Sequence, residues 1–208
     1  GYIPEAPEQS FGNNKGIFTP KDIYDLTRAD KYTNYGQLEL IETQTVSGVG
    51  TVNFTSIQES TYNVHFLTFN DFDFTNDQEN IQVRFSNDGG STYESGSNYD
   101  WAHQRNVAGI GSLEAKSSTA TSIEINRLLG NATNETQNGY IYFYNLGDSA
   151  KYSFTTSHTT GIYYTGAIVA NFGSGLYHQE ETINAIRVYI VEGNMSGSLS
   201  LYGIKEYS

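Results

Sequence analysis

The sequence predicts an all-β protein, a jelly-roll-like antiparallel β-sandwich with a short N-terminal arm and one short α-helix. From residue 37 onward, apolar residues alternate with polar ones, which is the period of a strand with one buried face. Clusters of glycine, asparagine, aspartate and serine separate the alternating segments, as turns do. The composition, with 21 glycines, 17 tyrosines and 3 prolines among 208 residues, is typical of a turn-rich β protein.

A short helix is predicted at residues 20 to 30, because the apolar spacing there changes to the helical period. Thr19 stands at the N-cap position, and Asp22 follows three residues later, where a carboxylate meets free backbone N–H groups. A helix of two to three turns is marginal by itself in water. We therefore expect it to dock on another surface, with residues 1 to 16 forming an extended arm before it.

The rest of the chain divides into about ten short strands separated by turn signals. The clearest strand segments are "SIEINRL" at 122 to 128, "GYIYFYNL" at 139 to 146, "KYSFTTSH" at 151 to 158, "IYYTGAIVAN" at 162 to 171 and "AIRVYIVEG" at 185 to 193. Strands at this spacing favour two packed antiparallel sheets. We therefore predict two parts: residues 1–36 form the arm and helix, and residues 37–208 form the sandwich domain.

Composition and charge argue against several classes of protein. The net charge is −12, with only 11 Lys and Arg, so neither nucleic acid nor an anionic membrane is an expected partner. Without cysteine there is no disulfide framework and no thiolate zinc site. No apolar run approaches the ~20 residues of a membrane span, and the N terminus lacks the pattern of a signal peptide. We expect a protein made in the cytoplasm and not exported by a signal.

Patterns for catalysis and metal binding are weak. No serine lies in a nucleophile-elbow pattern. The four histidines are at least twenty residues apart along the chain, so none of them forms a local metal-binding spacing. They are His65, His103, His158 and His178. We expect no catalytic residue, no metal site and no cofactor.

Three aspartates in "NDFDFTNDQEN", at 70 to 80, invite two further interpretations. Asp71, Asp73 and Asp77 are spaced as in a calcium loop, but the glycine and the terminal glutamate of such a loop are missing. Asp71 and Asp73 could also act as acid and base of a hydrolase, if their carboxyl groups lie ~5–9 Å apart. The simpler interpretation is a solvated polar loop between two strands.

The segment "SNDGGSTYESGSNYDWAH", at 86 to 103, is the most distinctive predicted loop. It brings Tyr93, Tyr99 and Trp101 close together in the sequence, beside carboxylates. Aromatic rings in such a setting can stack on a sugar or on a protein partner. In the alternative interpretation, Trp101 closes the end of the sandwich and Tyr99 packs beside it.

Two segments resemble structural proteins of tailed bacteriophages, especially marine ones. "GIFTPKDIYDLTRADKY" is similar to an amino-terminal motif that precedes varied β modules in those proteins. "RFSNDGGSTYESGSNYDWAH" and the ending "SGSLSLYGIKEY" resemble parts of their β-sandwich modules, including the terminal strand with "LYGI". Tyr32 stands where many relatives carry a tryptophan. The resemblance implies a non-enzymatic virion component exposed on capsid or tail.

The resemblance and the helix together predict a virion structural protein, either a capsid decoration or a tail or fibre component. The attachment residues would be Ile17, Phe18, Ile23, Tyr24 and Leu26, entering a groove of another virion protein. Alternatively, the helix covers an open edge or end of its own sandwich. We expect a homo-oligomer, with a trimer as the first expectation.

A second function from a different class stays open. The chain could be a carbohydrate-binding module or a receptor-binding adhesin, with Tyr93, Tyr99 and Trp101 as the stacking platform. A host surface glycan would then be the partner. The two functions are compatible, because an adhesin can also be a component of a tail.

Overall fold

The computed structural model describes residues 8–10, 13–15, 19–28 and 38–205. The chain divides into two compact units, Gly1–Tyr35 and Gly36–Ser208. Ile17, Phe18 and Tyr32 lie outside the described residues.

The first unit contains a two-stranded antiparallel ribbon and one helix. Strand β1, Glu8–Ser10, pairs with β2, Asn13–Lys15, and helix α1 spans Pro20–Arg28. The predicted helix is confirmed over this range, and residues 29 and 30 lie outside the described part of the chain. Among the described residues, no helix has the length and apolarity that crossing a bilayer requires.

A reciprocal pair of hydrogen bonds caps the start of α1. The Asp22 backbone N–H donates to Thr19 Oγ1 at 3.3 Å, while the Thr19 N–H and hydroxyl donate to Asp22 Oδ2 at 2.8 and 2.6 Å. These hydrogen bonds favour the charged carboxylate, so they lower the pKa of Asp22. The arrangement is a capping box with aspartate in place of glutamate, and it satisfies N–H groups that a helix start leaves unpaired.

The second unit contains a larger sheet of eight antiparallel strands. Their spatial order is β3, β14, β5, β10, β11, β12, β7, β8. The bounds are β3 Leu38–Val49, β5 Val64–Phe74, β7 Tyr99–Val107, β8 Gly111–Ala120, β10 Gln137–Tyr144, β11 Ser153–Ile162, β12 Ile168–Tyr177 and β14 Met195–Ile204.

Four strands form the smaller sheet, in the order β4, β13, β6, β9. The bounds are β4 Thr51–Phe54, β6 Glu79–Ser86, β9 Ile123–Leu129 and β13 Ala185–Ile190. All of its pairings are antiparallel too. The predicted fold class, an all-β antiparallel sandwich with one short helix, is therefore confirmed.

Aromatic contacts between the sheets join them at the centre of the core. Phe85, on β6 of the small sheet, is fully buried. Its ring lies 6.1 Å from that of Tyr99, 6.0 Å from Phe143 and 5.7 Å from Tyr177, measured between centroids. All three partners belong to strands of the large sheet. Tilted and edge-on contacts of this kind add to the stabilisation that burial provides.

The backbone of β12 lies close to side chains of β9 and β11 at Gly175, which has no Cβ atom. A Cβ atom added to Gly175 would lie 2.5 Å from Ile123 Cγ2 and 2.8 Å from Thr155 Oγ1. No side chain fits at that separation without displacing its neighbours. Glycine at this position therefore allows the Ile123 side chain to pack directly on the backbone of β12.

The structure differs from the predicted strand pattern at four places. Strand β5 continues through residues 70 to 74, which the simpler interpretation assigns to a polar loop. Residues 99 to 107 form β7, although the sequence predicts a loop through residue 103, because the buried face of this strand carries polar residues such as His103 and Arg105. Strand β8 was missed because this edge strand is largely exposed and has few apolar residues. The predicted strand at 162 to 171 is instead the end of β11, a turn and the start of β12.

The sandwich should depend strongly on the ring of Phe85. Replacing Phe85 with Ala removes the contact between the sheets and leaves a cavity, so we expect the free energy of unfolding to fall by about 3–5 kcal/mol. Chemical denaturation measures this change. Phe154→Ala, at an exposed position of β11, is the control and should change stability much less. Equal losses for the two variants would contradict the role assigned to Phe85.

Candidate functional site

The outward face of the large sheet carries a continuous surface of aromatic and hydroxyl side chains. Strand register aligns these side chains in three rows that run across the strands. The central row is Leu40, Tyr202, Phe66, Tyr142, Thr156, Ser174, Ala102 and Lys116. We call the three rows together the tyrosine face.

The other two rows flank the central one. The histidine row is Thr43, Ser200, Thr68, Tyr140, His158, Phe172, Gln104 and Glu114. The leucine row is Leu38, Ile204, Val64, Tyr144, Phe154, Leu176 and Asp100. Alternation within each strand places these side chains opposite to the core residues, such as Ile141 and Phe143.

The rings of the tyrosine face pack against one another. The Phe66 ring lies 4.7 Å from Tyr142, 5.6 Å from Tyr140 and 6.2 Å from Tyr202. Tyr142 stacks on Tyr144 with centroids 6.2 Å apart and planes inclined by 21°. The Tyr144 hydroxyl lies 3.1 Å from Oγ1 of Thr156, which is on the neighbouring strand β11. These contacts hold the rings in place before any ligand arrives.

A groove of about 910 Å³ opens on this face. Tyr140, Tyr142 and Tyr144 line one end, and Gln104 and Glu114 line the other. Its lining also contains Ala102, Thr156, His158, Phe172 and Ser174. The size is in the range of pockets that hold small ligands, although this groove is open along the sheet.

A smaller depression of about 270 Å³ adjoins the groove. It shares Ala102 and Ser174 with the groove and is bounded by Phe154, Leu176, Asp100 and the predicted site residue Trp101. The small side chains of the central row are therefore the common floor of both spaces.

The three rows hold almost no charged groups. From β3 to β12, no residue of the rows is Asp, Glu, Lys or Arg. The charged members are Asp100, Glu114 and Lys116, all on β7 and β8. Glu114 and Lys116 pair with each other at 3.4 Å and are both well exposed. In a chain of net charge −12, this uncharged area is an exception.

A histidine and an aspartate lie at the edge of the smaller depression. His178 Nε2 lies 2.7 Å from Asp100 Oδ2, and the His178 ring meets the edge of Tyr152 at 5.6 Å. Asp100 Oδ1 is buried and has no hydrogen-bond partner among the described residues.

The structure does not bring the three predicted stacking residues together as one platform. Tyr99 is fully buried and lies 4.8 Å from Tyr177, between ring centroids, so the core interpretation describes its position. Trp101 is half-buried against the core and stacks on His103 at 5.2 Å. The Arg187 guanidinium covers the Tyr93 ring at 3.8 Å.

Tyr99 has a structural role in the core. Its hydroxyl accepts a hydrogen bond from the Phe85 N–H at 3.0 Å and donates one to the Glu94 carbonyl at 3.3 Å. Burial raises the pKa of this phenol, because the phenolate would lose its hydration. A ring in this position cannot offer a face to a sugar.

Three of the five predicted attachment residues are described, and all three lie on α1. Ile23 is 37% exposed, Tyr24 is 64% exposed and Leu26 is half-buried. Ile17 and Phe18 lie outside the described residues. The attachment role of this set stays a prediction.

The aspartates considered for calcium or hydrolysis lie away from the groove lining. Asp71 and Asp73 are exposed on β5, at an irregularity where Asp71 adopts a φ of 55°. The Asp71 N–H donates to Asn138 Oδ1 at 2.9 Å. Asp77 is exposed in the following turn. Within the described part of the chain, no three His, Asp or Glu side chains group as metal ligands would.

Sequence reasoning missed the tyrosines of β10. In "GYIYFYNL" both sets of alternating residues are apolar or aromatic, so the pattern does not say which set faces the core. Three tyrosines in one set were the available signal, because a hydroxyl favours the wet side of a strand.

Comparisons with known proteins give no family for this chain. No protein-family profile and no curated protein sequence matches it. Among solved structures, an alginate lyase from Alteromonas sp.272 aligns with 74% of this chain and 58% of the enzyme's chain, at 10% identity and a TM-score of 0.14. The chain thus spans less than two thirds of that enzyme's length. A TM-score this low supports no argument about fold or function.

The buried position of Tyr99 predicts that its hydroxyl stabilises the fold, unlike the hydroxyl of an exposed tyrosine. Tyr99→Phe removes the acceptor of the Phe85 N–H, and we expect the free energy of unfolding to fall by about 1–3 kcal/mol. Tyr164→Phe, at an exposed tyrosine in a turn, is the control and should change stability little. Both are measured by chemical denaturation. Unchanged stability in Tyr99→Phe would refute the structural role.

Proposed function

We propose that this chain is a non-enzymatic, surface-displayed β-sandwich that binds glycans through its tyrosine face. The observation that carries this proposal is the set of packed rings lining the groove, interleaved with hydroxyl side chains and almost free of charge. A pyranose ring has an apolar C–H face and a rim of hydroxyls. Aromatic faces complement the first, and Ser, Thr and Tyr hydroxyls complement the second.

The binding site in this proposal is not the platform predicted at Tyr93, Tyr99 and Trp101, of which only Trp101 lines the smaller depression. The proposed function is still glycan binding, as for the predicted adhesin. The residues that would bind the glycan are different ones, which come together only through strand pairing. The rings of Tyr140, Tyr142 and Tyr144 replace the predicted trio.

Spacing of the carboxylates supports the non-enzymatic part of the proposal. The tyrosine face carries Asp100 and Glu114 in different rows, which are separated by four residues along a strand, or about 13 Å of backbone. Pairs of carboxyl groups in glycosidases are typically about 5–9.5 Å apart. Asp100 is held by a hydrogen bond with His178, and Glu114 by an ion pair with Lys116.

Replacing Tyr142 with Ala should weaken glycan binding without unfolding the protein. Tyr142 is at the centre of the ring cluster, so its loss removes a stacking surface and loosens the neighbouring rings. We expect affinity to fall about tenfold or more, as for a central aromatic contact. The assay is a glycan array, followed by calorimetry on the best ligand.

Tyr164→Ala is the matched control for this experiment. It removes an exposed tyrosine that lies in the turn after β11 and outside the groove lining. Binding by this variant should equal that of the unmodified protein. If the unmodified protein binds no glycan, or if the two variants bind alike, the proposal is wrong.

We further propose that the module is part of a bacteriophage virion, present in several copies and attached through residues 1 to 36. The support is the sequence resemblance, together with the exposed apolar side chains of the nine-residue helix α1. Asp22, Asp25 and Lys21 occupy polar positions of the same helix. The amphipathic pattern suits entry into a groove of another virion protein.

Truncation tests the attachment proposal. The described buried apolar core runs from Val52 to Leu201, within the unit Gly36–Ser208, so a chain lacking residues 1 to 31 should fold and keep its melting temperature within a few degrees. It should no longer incorporate into particles. In the full chain, Leu26→Asp should impair incorporation more than it lowers melting temperature. Unfolding of the truncated chain would show that the helix belongs to the core.

A further inference from the structure

The central row of the tyrosine face contains a trough with a floor of small side chains. Thr156, Ser174 and Ala102 follow one another on β11, β12 and β7, and all three are exposed. Tyr142 precedes them on β10, and Lys116 follows them on β8. The trough therefore runs across the strands, closed by a large side chain at each end.

Larger side chains of the flanking rows form the two walls. His158, Phe172 and Gln104 stand on one side, directly beside the floor residues in the histidine row. Phe154, Leu176 and Asp100 stand on the other side, in the leucine row. The two phenylalanines are nearly half exposed, at 43% for Phe154 and 45% for Phe172. Each wall thus offers one aromatic ring and one or more polar groups.

The length of the trough follows from the strand spacing. Four steps separate β10 from β8, and neighbouring strands lie about 4.8 Å apart, so the distance is about 19 Å. The walls are four residues apart along the strand, or about 13 Å between backbones. A single extended chain of several pyranose rings fits these dimensions, with room for side-chain contacts on both flanks.

Charge indicates the chemical class of that chain. The floor and both walls carry one carboxylate, Asp100, and no cation other than Lys116 at the far end. A polyuronate would bring one negative charge per sugar to a face whose one lysine, Lys116, is already paired with Glu114, on a protein of net charge −12. The polar groups present are hydroxyls, an amide, a carboxylate and imidazole, which suit sugar hydroxyls.

We propose that the trough binds a linear, uncharged oligosaccharide whose chain runs across the strands from Tyr142 toward Lys116. Phe154 and Phe172 contact sugar faces from opposite sides. Gln104 and His158 bind hydroxyls along the rim. This inference rests on the proposed glycan-binding function and adds the position, direction and class of the ligand.

Filling the floor tests the position of the ligand. Ser174→Trp puts a large ring at a site shared by the groove and the smaller depression. Thr160→Trp is the matched control, since Thr160 is an exposed residue of β11 outside both linings. Calorimetry with neutral cello-, manno- and galacto-hexaoses should show affinity at least about tenfold weaker for Ser174→Trp and unchanged for Thr160→Trp. Ala102→Trp repeats the test on β7 if Ser174→Trp fails to fold.

A second measurement tests the ligand class. The unmodified protein is titrated with the best neutral hexasaccharide and with oligogalacturonate of equal length. We expect the neutral ligand to bind at least about tenfold more tightly, with an affinity that does not change as salt concentration is raised. Equal or tighter binding of the uronate overturns the assignment of class.

The outcomes separate this inference from the function on which it rests. If Tyr142→Ala abolishes binding but neither Ser174→Trp nor Ala102→Trp weakens it, the trough assignment is wrong and glycan binding by the face stands. If no glycan binds the unmodified protein, both are wrong. Weaker binding in the floor variants, with Thr160→Trp unaffected, supports the trough.

Discussion

The structure depends above all on the register of the large antiparallel sheet. Because side chains alternate between faces, a slip of one residue in β10 would exchange Tyr140 and Tyr142 with Ile141 and Phe143. The aliphatic and phenylalanine side chains have no hydroxyl to satisfy, so the buried face selects them and the tyrosines face outward. The same alternation in β11 and β12 leaves Thr156 and Ser174 outward, beside those tyrosines. The core therefore fixes the composition of the outer surface.

The interior between the two sheets contains charged and polar side chains as well as apolar ones. Beneath β7, the His103 Nε2 lies 3.0 Å from Glu124 Oε1, and Arg105 is almost fully buried, with one N–H bonded to the Arg127 carbonyl at 3.3 Å. Burial lowers the pKa of Arg105, because its charge loses hydration. Buried polar pairs of this kind contribute little net stability. We infer that they fix how β9 packs against the large sheet, since a shifted β9 would leave these groups without partners.

The fold class can be predicted from the sequence, but only part of the candidate site can. Alternation and turn chemistry predict a sandwich, and the N-cap pattern at Thr19 predicts the helix, because these signals are local. Strands β7 and β8 are not predicted because neither shows a clear alternation of apolar and polar residues. The buried face of β7 carries polar residues, and β8 is an exposed edge strand with few apolar ones. Trp101 and Tyr99 stood out by residue type, yet residue type does not say which face a strand residue occupies.

The tyrosine face could not be predicted because its neighbours are distant in sequence. Ser174 and Ala102 are 72 positions apart and become adjacent only when β12 pairs with β7. An eight-stranded order with four nonconsecutive neighbour pairs is a property of the whole chain. A surface built in this way is as rigid as the sheet below it, whereas a loop site must be ordered on binding. That rigidity favours recognition of an extended, regular chain, whose repeating units present the same hydroxyl and C–H faces to successive strands.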